Sequence, residues 1–162
     1  MTRAGIRDES GETGEIGMAE AIETIGDTEL LAGFDAGTLP AGSFRHREHV
    51  RVAWLCLRRD PPLAALERFC AGIQGLAAAY GKSGLYHATI TWAFLLLIHE
   101  RCGRGEAAES WEEFAAGNRD LLCWQPSILA SYYREETLRS EVARRIFLMP
   151  DRLAGDSTAP PV

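Results

Sequence analysis

Apolar residues recur with a helical period along most of the middle of the chain. From Pro62 to about Tyr80 they fall at positions 63, 66, 69, 70, 73 and 76, close to the spacing of one helix face. The preceding run, which ends at Arg59, predicts another helix, and Ser43 is a candidate N-cap for it. The two prolines that follow Asp60 separate these helices, because proline is tolerated in the first turn of a helix but not in its interior.

The later part of the chain predicts further helices. The run from Tyr86 to Arg101 starts with strand-favouring residues, but its continuous apolar second half favours a buried helix. A capping-box sequence at Ser110 begins another helix, and the stretch from Arg134 to Phe147 predicts one more. The chain as a whole therefore predicts an all-α fold, a single compact helical bundle.

The two ends of the chain show no such period. Residues 1–26 are rich in glycine and glutamate, and their six acids against two bases predict a disordered acidic segment. Met18 within this segment is a candidate start of the protein. Residues 152–162 contain glycine and prolines and predict a flexible C-terminal tail. The expected organisation is one helical domain over residues 27–151 between these two segments.

Composition and charge narrow the classes of partner. Beyond residue 26 the chain carries 17 acids and 15 bases, so it offers no strongly basic surface and no nucleic-acid partner is expected. No apolar run approaches the ~18 residues of a membrane span, so no membrane partner is expected either. Four scattered cysteines without a C-x-x-C pair predict reduced thiols in a cytoplasmic protein.

Three histidines carry the strongest chemical signal. His46 and His49 stand at i and i+3, so a helix places them on one face, and His87 stands near the start of a later helix. Three imidazoles can hold zinc, iron, copper or nickel and leave one coordination position open for water or substrate. Near a helix N-terminus the imidazole is also favoured in its neutral, metal-binding form. These three residues are therefore the candidate metal ligands, and no catalytic residue is assigned.

A structural role for the histidines is the alternative interpretation. His46 and His49 could form hydrogen bonds at a helix start, while His87 could order the loop before its own helix. Glu48, between the first two, is expected on a solvated face, paired with Arg45 or Arg51, because it lies about 100° around the helix from each adjacent residue. The alternative for Glu48 is a carboxylate ligand or a proton acceptor.

Three further side chains are candidates for ligand binding: Tyr86, Thr91 and Tyr132. A packing role or a local hydrogen bond is the more typical role of a threonine such as Thr91, and of the adjacent Tyr132 and Tyr133 one ring is expected to be buried and the other exposed. No nucleotide cofactor is expected. The segment from Gly81 to Ser83 lacks both the glycine spacing and the preceding strand of a phosphate-binding loop.

The segments Phe44–Trp54 and Tyr86–Trp92 carry a family resemblance. Their motifs F-x-H-R-x-H-V and Y-H-x-T-x-T resemble those of a group of small bacterial helical proteins of unassigned function, and the likeness extends over about residues 28–150. It implies one helical domain and no particular reaction. The arrangement is also distantly similar to DinB-type bundles, which implies a metal held by three histidines from different helices, although this chain lacks their H-x-x-x-H pair.

From these patterns we expect a small-molecule-binding or metal-dependent protein with a histidine-lined pocket and an unassigned reaction. The alternative is a non-catalytic ligand-binding or protein-interaction module whose histidines are structural. An amphipathic surface helix would also allow a homo-oligomer. Whether the protein is an enzyme stays open at this point.

Overall fold

The computed structural model describes residues 25–104 and 108–152, and this part of the chain is all-α, as predicted. It contains eight α-helices, two short 3₁₀ helices and no strand. The α-helices are α1 (Asp27–Ala36), α2 (His46–Arg59), α3 (Pro62–Ala79), α4 (Ala88–Arg104), α5 (Trp111–Gly117), α6 (Arg119–Leu122), α7 (Glu135–Arg139) and α8 (Glu141–Arg145). The 3₁₀ helices are Ser83–Leu85 and Ile128–Ser131. The predictions made for residues 1–24 and 153–162 lie outside the described residues.

The three longest of these helices form the centre of the bundle. α2 packs against α3 and α4, α3 packs against α4, and α1 packs across α2 and α3. Fully buried side chains from all four helices meet in one apolar core, among them Phe34, Val52, Leu76, Leu95 and Ile98. The run with a strand-like beginning belongs to the core helix α4, and its apolar second half is mostly buried, with Leu96 exposed.

The start of α2 differs from the prediction. Ser43 is not its cap: the Ser43 hydroxyl donates to the carbonyl of Pro40, and the helix begins at His46 with Arg45 as the N-cap residue. Glu48, predicted on a solvated face, is buried, and its carboxylate accepts the backbone N–H of Arg45 at 3.0 Å. A carboxylate in the first turn satisfies an N–H that the helix leaves unpaired, and the positive end of the helix dipole favours its charge.

The helices near the C-terminus of the described chain also differ from the prediction. The prediction of a single helix from Arg134 to Phe147 is wrong, because the chain forms two short helices, α7 and α8, that meet at Ser140. The Ser140 hydroxyl donates to the carbonyl of Thr137 and accepts the N–H of Ala143, so it ends one helix and caps the next. α8 then packs against α4.

Thr89, in the first turn of α4, ties that helix to the chain that follows α8. Its side chain is fully buried. Its hydroxyl donates to the carbonyl of Ile146 at 2.8 Å and accepts the N–H of Leu148 at 3.1 Å. The hydroxyl of Tyr133 donates to the carbonyl of Leu148 at 2.9 Å, so the same strip of backbone is held from two sides.

Replacing Thr89 with valine should lower the free energy of unfolding by about 1–2 kcal/mol. Valine keeps the shape of the side chain but leaves the Ile146 carbonyl and the Leu148 N–H without their shared partner. Urea unfolding followed by circular dichroism would measure the loss. Thr89→Ser keeps the hydroxyl and is the control; a loss from serine as large as that from valine would contradict the role given to the hydrogen bonds.

Helix length and the state of the cysteines bear on the predictions about membrane partners and thiols. None of the helices within residues 25–104 and 108–152 is both long and apolar enough to cross a membrane. All four cysteines are free thiols. Cys56 is buried, and burial raises its thiol pKa to about 12, whereas Cys70, Cys102 and Cys123 are half-buried.

Candidate functional site

A cleft of about 510 Å³ opens where α2, α3 and α4 meet. Its walls are mainly apolar and are formed by Val50, Ala53, Phe69, Ile73, Ile90, Phe94 and Ile98. Two further apolar side chains, Leu85 and Trp124, line it while remaining 68% and 49% exposed. A largely apolar cleft of this size is typical of sites that hold a small molecule.

The cleft gathers most of the candidate residues named from the sequence. His46, His49 and His87 all line it, together with Tyr86 and Thr91. Tyr132 is not among its lining residues. Its ring is half-buried, and its backbone carbonyl accepts two N–H groups from the C-terminal segment.

His49 is held in one tautomer by the helix on which it lies. Its Nδ1–H donates to the carbonyl of Arg45 at 2.6 Å, and its ring packs against Phe44 with 4.2 Å between ring centroids. Burial lowers the pKa of His49 to about 4, a shift that the Arg45 carbonyl opposes. At neutral pH the imidazole is therefore uncharged, and its Nε2 carries a lone pair.

His46 is held in the other tautomer. Its Nε2–H donates to the carbonyl of Leu121 at 2.8 Å, which ties the first residue of α2 to α6. Its ring lies edge-on to Phe94 and also contacts Trp124, with centroid distances of 4.9 and 5.2 Å. Burial lowers its pKa, opposed by the Leu121 carbonyl and the charge of Glu48. The lone pair of His46 is therefore on Nδ1.

Two imidazole nitrogens are consequently left open. Within the described residues, Nδ1 of His46 and Nε2 of His49 have no hydrogen-bond partner. In the same part of the chain, every buried side-chain nitrogen or oxygen does have a partner, so these two nitrogens are accessible to solvent. Each can accept a hydrogen bond from a ligand or bind a metal ion.

His87 is engaged differently from the other two histidines. Its Nε2–H donates to the carbonyl of Leu138 at 2.8 Å, and its Nδ1 accepts the N–H of Ile90 at 3.3 Å in the first turn of α4. Both ring nitrogens are thus used within the fold, and the side chain joins α7 to α4. Coordination of a metal through Nδ1 of His87 would require its hydrogen bond with the Ile90 N–H to break, while Nε2–H could keep donating to Leu138.

No group of three or more histidine, cysteine or acidic side chains is arranged to hold a metal ion in residues 25–104 and 108–152. The site formed by His46, His49 and His87 around a metal therefore stays a prediction. What the geometry brings together is two open imidazole nitrogens and one imidazole that is fully bonded.

The other polar groups of the cleft are hydroxyls. Tyr86 is half-buried, and burial raises the pKa of its hydroxyl, next to the thiol of Cys70. It therefore stays protonated at neutral pH and can donate a hydrogen bond. Thr91, one turn into α4, contributes a second hydroxyl.

No family model matches the chain, and no curated protein or solved structure matches it significantly. The resemblance to small bacterial helical proteins therefore stays a prediction, and any functional proposal has to rest on the cleft.

Sequence reasoning named five of the lining residues that the structure describes. Of those that it missed, Leu85, Trp124 and Arg144 lie outside α2, α3 and α4. They come from a 3₁₀ helix, the loop after α6, and α8. None of them belongs to a periodic apolar face or a recognisable motif. Arg144 reaches the cleft because α8 packs on α4, and that docking depends on tertiary hydrogen bonds which the sequence pattern does not reveal.

Proposed function

We propose that the protein binds a small, largely apolar molecule in this cleft, and that His46 and His49 accept hydrogen bonds from the polar end of that molecule. The observation that carries the proposal is the pair of open, uncharged ring nitrogens on a cleft whose walls are mainly apolar. A hydrogen bond made in such surroundings is stronger than one made in water, so a few polar groups can select a ligand.

A binding role suits His49 better than a role in acid–base catalysis. A general base is most effective when its pKa lies near the working pH. The pKa of His49 is about 4, so near neutral pH it is a weak base that remains a good hydrogen-bond acceptor.

A metal-dependent function is the second candidate. Imidazoles that bind metals commonly donate their other N–H to a backbone carbonyl, and both His46 and His49 do so. They would supply two coordinating nitrogens to zinc, iron, copper or nickel, and the bound small molecule or water would complete the coordination shell. Calorimetric titration with Zn²⁺ tests this: a stoichiometric site lost in both His46→Ala and His49→Ala supports it, and binding that neither change affects contradicts it.

The proposed ligand class can be tested with two probes of almost equal size, naphthol and naphthalene. Naphthol carries a hydroxyl donor and naphthalene does not. We expect naphthol to shift the amide NMR signals of cleft residues and to bind about fivefold more tightly than naphthalene, since a neutral hydrogen bond contributes about 1 kcal/mol. Ile73→Trp, which adds bulk to the wall of the cleft, should weaken both probes.

Two substitutions of His49 separate its two ring nitrogens. Asparagine places an amide where Nδ1 lies, so it can keep the bond to the Arg45 carbonyl but offers nothing at the Nε2 position. Glutamine places its amide near the Nε2 position instead. We expect His49→Asn to reduce the preference for naphthol, with His46 remaining as an acceptor, and His49→Gln to restore part of it. His99→Asn, at an exposed position on α4, is the control. A preference for naphthol that survives unchanged in both His49→Asn and His46→Ala would favour the alternative of structural histidines.

A further inference from the structure

Arg144 brings a full positive charge to the cleft. It lies on α8, whereas the histidines lie on or beside α2 and α4. Within the part of the chain that the structure describes, no carboxylate lines the cleft. Both open imidazoles are uncharged at neutral pH because burial lowers their pKa values. The electrostatic character of the cleft is therefore positive, and an anion complements it.

The ion pair that Arg144 forms within the fold is weak. Its Nε lies 3.9 Å from Oε1 of Glu141, whose side chain is 86% exposed. An exposed ion pair at that distance is screened by water and contributes little to stability. A guanidinium has five N–H donors in a planar fork, so Arg144 retains the capacity to bind a second, better-placed anion.

The one buried carboxylate of the described residues is already engaged in a hydrogen bond. Glu48 lies beside His46 in the first turn of α2, but its oxygen accepts the N–H of Arg45 and closes the cap of that helix. It does not line the cleft. No acidic group of the described cleft wall would therefore compete with a ligand for Arg144.

The walls indicate the body of the ligand. Trp124 and Leu85 are large, exposed apolar side chains at the cleft, and the rings of Phe94 and His46 lie against Trp124. Flat aromatic groups pack well against such rings. Exposed apolar side chains on a cleft are typical of a surface that a ligand covers.

We infer that the ligand is an aromatic or similarly apolar monocarboxylic acid that also carries a hydroxyl or N–H group. Its carboxylate pairs with Arg144, its body packs against Trp124, and its donor bonds to His46 or His49. A single guanidinium matches the two oxygens of a carboxylate, which it can bind with two parallel hydrogen bonds. This inference rests on the proposed function and names the chemical class of ligand for the same cleft.

The test compares naphthol with a hydroxynaphthoate that carries its hydroxyl and its carboxylate on opposite rings. Calorimetry at low salt should show the hydroxynaphthoate binding about tenfold more tightly to the wild-type protein, as expected for a charge-assisted hydrogen bond. Arg144→Gln should remove this advantage, measured as the ratio of the two affinities in the same variant, and Arg144→Lys should retain part of it. Arg145→Gln is the matched control, because Arg145 is exposed on the same helix and does not line the cleft.

The outcomes distinguish the two proposals. If naphthol binds but the carboxylate adds no affinity, or if its advantage survives in Arg144→Gln, the assignment of a carboxylic acid is wrong while the proposed function stands. If neither probe binds, both the proposed function and the inferred ligand class are contradicted. Loss of the advantage in Arg144→Gln alone, with the control unaffected, supports both.

Discussion

Replacing Gly72 with alanine should lower the free energy of unfolding by about 3 kcal/mol, the largest effect that we expect from a single added methyl group in this chain. Gly72 lies in α3 and faces the ring of Phe34 on α1. A Cβ placed at Gly72 would stand 2.1 Å from one ring carbon of Phe34 and 2.2 Å from another. The Phe34 side chain is 1% exposed and packs against Phe69 and Phe44, so it has little room to move away.

Gly75 provides a matched control in the same helix. A Cβ there would meet nothing within 4 Å, so alanine should be accommodated freely. Because alanine favours a helix over glycine by about 1 kcal/mol, Gly75→Ala should stabilise the protein slightly. The two changes carry the same helix-propensity gain, so the difference between them isolates the clash.

Urea or thermal unfolding of both variants measures this difference. Combining Gly72→Ala with Phe34→Leu gives a further check, because the smaller side chain should relieve the clash and the two effects should be strongly non-additive. Equal stability of Gly72→Ala and Gly75→Ala would contradict the close approach of α1 and α3 at this point.

The helices that build the core were predictable because their signal is local. The helix over residues 62–80 follows from apolar side chains one helical turn apart, and the buried helix in the run ending at Arg101 follows from a continuous stretch of apolar residues. Helix ends were less predictable, since several polar groups compete for the same unpaired N–H. Near α2, Ser43 has the right chemistry for a cap, but its hydroxyl bonds to Pro40 and Glu48 takes that role. At Ser140 a single hydroxyl divides a predicted helix in two.

The candidate site shows the same division between local and long-range information. His46 and His49 were found because a spacing of three residues places side chains on one face of a helix. The partners of His46 and His87 were not predictable, because Leu121 and Leu138, whose carbonyls accept their N–H groups, are distant in sequence. Arg144 was missed for a related reason: it reaches the cleft only through the packing of α8 on α4.

Acid should destabilise the protein by about 2–3 kcal/mol between about pH 6.5 and pH 4, with His49 as the main cause. In the unfolded chain this imidazole takes up a proton near its ordinary pKa of 6.5, whereas burial keeps it neutral in the folded protein until the pH falls to about 4. Between these values the unfolded state binds more protons, so a falling pH favours unfolding. Above this window both states are neutral, and below it both are charged, so His49 adds no further slope.

Unfolding by urea at a series of pH values would measure this dependence. His49→Asn, which can retain the hydrogen bond to Arg45, should lose most of the slope, and His99→Asn should keep it. Some slope should remain in His49→Asn because burial also lowers the pKa of His46. The lowered pKa of the exposed Asp151 carboxyl should contribute only at a more acidic pH. Parallel curves for the wild type and His49→Asn would show that His49 titrates normally, and its neutral form would then no longer support the proposed acceptor site.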